Sequence, residues 1–352
     1  MTFNNFRSIK GLFPRSAFLI VLALLCICCQ FATDIPLQNS KPQFVGVLRL
    51  EKSLLYPDTA VGSVQVRDLN DTAWSVETHF YADSIPDTGH GLQISWPGSI
   101  FFQRENPQIS NCLLSVKPEF LGYCRGTLTL RDPDGDTALM PISVHRVFKN
   151  DFNPDSIGLR YWREYTDNDS FIAFDRILGG LRFTIPGSSG DVSSETLRTT
   201  TGMRSAFAIS GDFQMSTAFE LRDDMKSGFE TSFFISTSPD PSLWSGEIAG
   251  IYLTGISGVN DFVQLICNSI YMQTTSSETV NYMGILTISR TNNSLMFTYQ
   301  KDRLDKPTVL ATLEYPAADS IYVHLRMQVN DRAWTRHCLW KDFEIVKGTI
   351  SF

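Results

Sequence analysis

The sequence predicts an all-β protein, and three observations carry that reading. From Gly250 to Lys301 the runs IYLTG, DFVQLICNSIYMQ, YMGILTISR and SLMFTYQK follow one another, each rich in Ile, Leu, Phe, Tyr and Val and separated by turn residues. Several alternate strictly, with Ile285, Thr287 and Ser289 on one side and Leu286, Ile288 and Arg290 on the other. That is the period-2 signature of a half-buried strand. No long window holds a helical apolar stripe free of Gly, Pro or β-branched breaks. Between the last two runs, Asn292 and Asn293 suit a hairpin turn, because Asn tolerates positive φ.

Composition supports a folded chain with more than one core. Hydrophobic residues make up 43% and charged residues 19% of the 352 residues, a length that suggests two domains. The net charge of −7 lacks the basic stripe that nucleic-acid phosphates require, so a nucleic-acid partner is excluded.

Residues 1–29 read as an export segment. Arg7, Lys10 and Arg15 form a positive n-region, and Ser16 to Cys29 is an uncharged apolar run, shorter than the ~20 residues a membrane span needs. The run ends in Cys26, Cys28 and Cys29 and resembles a bacterial lipoprotein signal, in which a Cys becomes the lipidated first residue. On that resemblance Cys29 is the expected lipid attachment site, and the chain is expected at the cell envelope or surface, held to the membrane by its lipid. An uncleaved anchor and ordinary secretion stay open. Residues 30–43, polar and broken by Pro, read as a tether.

Residues 44–147 hold short strand candidates at Val45–Leu50, Ala60–Arg67, Trp74–Tyr81, Gly91–Trp96, Leu113–Val116, Tyr123–Leu130 and Thr137–Val144. Short strands spaced by Pro, Asp and Gly suggest an immunoglobulin-like (Ig-like) β-sandwich. The stretch GTLTLRDPDGDTALMPISV resembles the end of bacterial Ig-like repeats, with Asp134-Gly135 suited to a type I′ turn. No Cys pair brackets a Trp as in antibody domains. Residues 148–156, around Pro154, read as a linker, and residues 157–352 as a second sandwich.

In that second part, Gly211-Asp212-Phe213 followed by Phe219-Glu220-Leu221, then GFETSFFIS, AGIYLTG, the G-x-L-x-I-x-R of Gly284 to Arg290, and a closing segment from Lys341 to Ile350 occur in an order that resembles the concanavalin A-like jelly roll of lectins and glucanases. The resemblance implies a fold more firmly than a function, since that sandwich hosts lectins, hydrolases and inert spacers alike.

Hydrolases of that family carry their acids on one strand as E-x-D-x-x-E, because alternate residues share a face. No such string occurs, and the nearest, Asp342-x-Glu344, lies on the closing segment. No Ser-His-Asp order, P-loop or H-E-x-x-H motif is present. No catalytic residue, cofactor or metal site is therefore assigned. The Asp132 to Asp136 run lacks the Gly and Glu spacing of a calcium loop and reads as a hairpin turn. Cys112 and Cys124 flank one strand-turn-strand segment and are expected to form a disulfide in an exported protein. Trp244, in the loop SPDPSLWSGE, and Tyr271 and Tyr282, beside the following turn, are the candidate ligand-binding residues, as platforms for a sugar ring. The expectation is a non-catalytic surface binding or adhesion protein with a carbohydrate ligand. A glycoside hydrolase with an unrecognised carboxylate pair, or a structural surface protein, are the alternatives.

Overall fold

The computed structural model describes residues 41–352 except 47–48, 68–76, 83–91, 96–107, 133, 154–159, 168, 188–197, 222–228, 240–247, 257–258, 268–269, 275–282, 316–319 and 331–333. For 77–82, 92–95, 108–110, 255–256, 259–267 and 270–274 it describes the backbone alone. The described regular structure is β-strand, apart from one short 3₁₀ turn at 160–161.

Strands β1 (Gln43–Phe44), β2 (Leu50–Leu55), β3 (Ala60–Arg67), β4 (Glu77–Ala82), β5 (Leu92–Ser95), β6 (Gln108–Val116), β7 (Phe120–Arg131) and β8 (Thr137–Asn150) build the first part. The period-2 rule is visible in β3, where Ala60, Gly62, Val64 and Val66 are buried and their neighbours are not. The four-stranded sheet β1-β3-β6-β5 packs its apolar face on β2, β8 and β7. Val64, Leu114, Leu128, Met140, Ile142 and Val144 fill the core between them. The run expected at Val45–Leu50 is broken: Gly46 turns with φ +74°, so β1 ends before it and β2 begins at Leu50.

Cys112 and Cys124 are not bridged. They sit on β6 and β7, in different sheets, as buried free thiols in this small core. The segment between them crosses from one sheet to the other, so the pair is not the cross-hairpin neighbour that chain proximity suggested. The turn between β7 and β8 also differs from the expected two-residue form. Arg131 pairs with Thr137, leaving a five-residue loop in which Gly135 takes φ +92°. The Asp136 amide donates to the Asp132 carboxylate at 2.8 Å, so the aspartate closes the loop.

The second part contains β9 (Trp162–Thr166), β10 (Phe171–Phe174), β11 (Leu181–Ile185), β12 (Thr199–Ser205), β13 (Ala208–Leu221), β14 (Phe229–Ser236), β15 (Ile248–Ile256), β16 (Val259–Cys267), β17 (Ile270–Thr274), β18 (Met283–Thr291), β19 (Ser294–Gln300), β20 (Thr308–Glu314), β21 (Tyr322–Val329) and β22 (Arg336–Ser351). They form an antiparallel sandwich. One layer is the seven-stranded sheet β17-β16-β15-β14-β21-β12-β9, and the other runs β22-β13-β18-β19-β20 with β11 and β10 beyond β22. Met215, Phe219, Ile288, Phe297 and Phe343 from one layer and Phe233, Ile251, Leu325 and Met327 from the other share one core. Each side chain of this size contributes about 1.5–3 kcal/mol when fully buried. The Asn292 turn takes its expected form: Thr291 pairs with Ser294, and Asn292 has φ +54°.

The two parts are joined by sheet as well as by chain. β22 pairs with β13 along most of its length, its middle pairs with β8 through Phe343 and Asn150, and its far end pairs with β7 through Gly348 and Leu121. Of the 148–156 stretch, the first three residues finish β8, and Phe148 and Phe152 are buried in the larger core. Phe152 holds φ +59° while its amide donates to the Asn150 side chain at 2.8 Å and its ring meets Trp162 at 5.6 Å.

Candidate functional site

Strand alternation sends Phe229, Phe233 and Ile235 of β14 into the core and Glu230, Ser232, Phe234 and Ser236 to the outer face of the seven-stranded sheet. Strand β21 does the same with Val323, Leu325 and Met327 inside and His324, Arg326 and Gln328 outside. The pairing register then sets outer residues in rows. Tyr165, Gly202, Arg326, Ser232 and Tyr252 form one row across five strands. Arg204, His324, Phe234 and Gly250 form the next, and Gln328, Glu230 and Thr254 flank the first on its other side.

Two glycines make room for the rings. A Cβ at Gly202 would stand 2.6 Å from Cε2 of Tyr165, so only glycine lets that ring lie across β12. A Cβ at Gly250 would stand 2.6 Å from the Phe234 Cα.

Arg326 is the centre of the cluster. It forms an ion pair with Glu230, and its guanidinium lies 5.2 Å from the Phe234 ring centroid and 5.4 Å from that of Tyr252. Burial works against its charge, but Tyr252, Glu230 and Tyr165 more than offset this and hold its pKa above the usual guanidinium value. On the other side of Phe234, His324 stacks with centroids 4.5 Å apart and planes 7° from parallel. The Ser236 hydroxyl donates to the Ser238 carbonyl at 2.7 Å, so toward His324, 2.8 Å away, it acts as acceptor. That assigns the proton to His324 Nε2 and leaves Nδ1 as a lone-pair acceptor. Burial, together with the charges of Arg204 and Arg326, pushes the His324 pKa down to about 3, so the ring is neutral near pH 7. Burial likewise raises the Tyr165 phenol, which stays protonated.

Four buried atoms of this face have no hydrogen-bond partner among the described residues: Tyr165 Oη, Ser232 Oγ, His324 Nδ1 and Gln328 Oε1. Leaving such an atom unsatisfied costs about 1–3 kcal/mol each. The set offers two hydroxyls and two neutral acceptors beside aromatic faces. Glu230 is the one carboxylate in the three rows, and it is engaged by Arg326. Glycoside hydrolysis ordinarily needs two carboxyl groups, one acid and one base or nucleophile.

Trp244, Tyr282 and Cys29 lie outside the described residues. Tyr271 is on β17, paired with Ile266, and its side chain is outside the description. Asp342 and Glu344 share the outer face of the other sheet. Asp342 stands at a bulge with φ +49° and pairs with Arg303 at 3.4 Å, while Glu344 pairs with Lys149 at 3.4 Å. Among the described residues no three His, Cys, Asp or Glu side chains group as a metal site, and no helix is long and apolar enough to cross a membrane. The residues that reading the sequence missed, Glu230, His324, Arg326 and Gln328, did leave a signal. YVHLRMQV and FETSFFIS place polar residues at alternate positions of otherwise apolar strands.

No protein-family model and no curated protein matches the sequence. Among solved structures, lectin II from Ulex europaeus is similar at 11% identity over 58% of this chain and 98% of that one, with a TM-score of 0.42. The laminarinase from Flavobacterium sp. UMI-01 is similar at 11% identity over 56% and 98%, with a TM-score of 0.44. The legume lectin-like domain from Entamoeba histolytica is similar at 10% identity over 57% and 96%, with a TM-score of 0.44.

Proposed function

We propose that this chain is a surface carbohydrate-binding protein without hydrolytic activity, in which an Ig-like spacer presents a concanavalin A-like jelly roll. The observation that carries the reading is the outer face of the seven-stranded sheet. There Tyr165, Ser232, His324 and Gln328 each bury a hydrogen-bonding atom with no partner among the described residues, beside the stacked rings of Phe234 and Tyr252. Sugar hydroxyls can both donate and accept, which is the mixture these four atoms call for. A neutral His324 and an ion-paired Glu230 provide hydrogen bonds but no acid and base pair.

A glycan array run with the intact chain, followed by assay of reducing-end release on every retained polysaccharide, tests this directly. Retention without release is expected. Release that is lost in Asp342→Asn or Glu344→Gln would establish the hydrolase instead, and absence of retention on every glycan would favour a structural role.

The anchor is the second part of the proposal. Cys29 is the lipid attachment residue, on the strength of the n-region and apolar run before it. Metabolic labelling with a fatty-acid analogue is expected to mark the wild type and to fail in Cys29→Ala. Label that persists there but disappears in Cys26→Ala or Cys28→Ala would move the site.

A further inference from the structure

The outer face of the larger sheet carries a trough that the cluster above does not use. One hollow, of about 360 Å³, is lined by Ser216, Thr287, Thr298 and Gln300 and edged by Asp342 and Glu344. A second, of about 890 Å³, lies where β7 meets β22 and is lined in part by Tyr123, His145, Asn293 and Thr349. Gln214 and Val346 line both, so the two hollows adjoin at these residues. The register explains the floor of the first: Thr298, Thr287, Ser216 and Glu344 stand in one cross-strand row on β19, β18, β13 and β22, and Lys149 of β8 extends it.

Three features define what such a trough would hold. Its carboxylates are internally neutralised, Asp342 by Arg303, Glu344 by Lys149 and Asp212 by Lys347, so the surface does not select a polyanion or a polycation. The remaining floor mixes hydroxyl and amide groups with apolar side chains such as Ile285, Met296, Phe120 and Val346, and the side chains of Gln214 and Asn293 make no hydrogen bond among the described residues. At the far end the Tyr123 ring is 57% exposed and is held in plane by His145, with centroids 3.9 Å apart and planes 4° from parallel. A groove that alternates hydroxyl and amide groups with apolar patches, its Arg290 spent on the Gly211 carbonyl, and that ends in a braced aromatic fits a linear neutral polyol chain, whose rings carry both polar edges and apolar faces.

We propose that this trough is a second, extended saccharide site, which takes a linear neutral oligosaccharide along β13 and β22 with one ring seated on Tyr123. It rests on the carbohydrate reading for the class of ligand but not for the place.

The test is titration of the intact chain with neutral gluco-, manno- and galacto-oligosaccharides from disaccharide to octasaccharide. Wild type is expected to bind the longer members of one series about tenfold or more tighter than its disaccharide. Tyr123→Ala, and Ser216→Trp, which fills the floor, are expected to abolish that gain and leave disaccharide affinity unchanged. Tyr165→Phe is expected to weaken the disaccharide and keep the gain. Length dependence that survives both Tyr123→Ala and Ser216→Trp overturns the trough and leaves the cluster on the seven-stranded sheet standing. Absence of binding in every series overturns both, and if Ser216→Trp fails to fold, the Tyr123→Ala result alone decides.

Discussion

Tyr165 lies across Gly202, its neighbour on the adjoining strand, closely enough that a Cβ there would stand 2.5 Å from the phenol oxygen and 2.6 Å from Cε2. The contact fixes where the Tyr165 hydroxyl sits in the polar cluster. Gly202→Ala is expected to expel the ring, lower the thermal midpoint by several degrees for ~1–3 kcal/mol of overpacking, and weaken saccharide binding at this face. Binding and stability both equal to wild type would show that the ring does not hold that position.

The Arg326 and Glu230 pair is expected to matter more when broken than when replaced. Glu230→Gln leaves a buried guanidinium charge without its carboxylate and is expected to cost about 3 kcal/mol, the low end for such pairs because Glu230 is partly exposed. Adding Arg326→Met should recover much of that loss, because an apolar chain of similar length then fills the space between Phe234 and Tyr252. Denaturant unfolding of the two variants measures the difference.

His324 makes stability depend on pH in a defined direction. Its folded pKa of about 3 lies below the ordinary histidine value, so between the two the unfolded chain binds a proton that the folded chain does not. Stability from this group is therefore complete above about pH 6.5 and falls as pH drops toward 3. The loss between pH 6.5 and 5 is about 2 kcal/mol for a single site. His324→Gln is expected to be less stable than wild type at pH 7 and to have a flatter stability profile from pH 7 to 5. An unchanged slope would place the titration elsewhere.

The thiols provide a check on packing. Burial raises Cys112, pushes Cys124 up to about 11 and pushes Cys338 up to about 12, the last with a Thr231 hydroxyl 3.2 Å from its sulfur. All three are expected to resist alkylation in the native protein and to react on unfolding, without added reductant. Mass spectrometry showing a Cys112 to Cys124 bridge in the native protein would contradict the free-thiol state of this core.

Much of the fold was legible because strand period is local. Ala60–Arg67 and the turn at Asn292 appear where alternation and Asn chemistry put them. What was not legible depends on pairing between distant strands. The sequence around Cys112 and Cys124 does not say that β6 and β7 enter different sheets. The joining of β22 to β7 and β8 likewise depends on contacts across some two hundred residues. The site follows the same division. His324, Arg326 and Gln328 announce an outward polar face by alternation, but only the register of β21 against β14 and β12 brings them to Glu230, Ser232 and Tyr165. The aromatic residues chosen from loops, Trp244 and Tyr282, fall outside the described residues.

The central claim is that a saccharide satisfies the buried polar atoms of the seven-stranded sheet. Calorimetric titration of the glycan retained on the array against wild type, Tyr165→Phe and Gln328→Ala tests it most directly. Each substitution removes one of the groups that the proposal gives to the ligand, and each is expected to weaken binding about tenfold, for ~1–1.5 kcal/mol per hydrogen bond, while the thermal midpoint stays at or above that of wild type. Affinities equal to wild type in both variants would contradict the claim and mark these groups as structural.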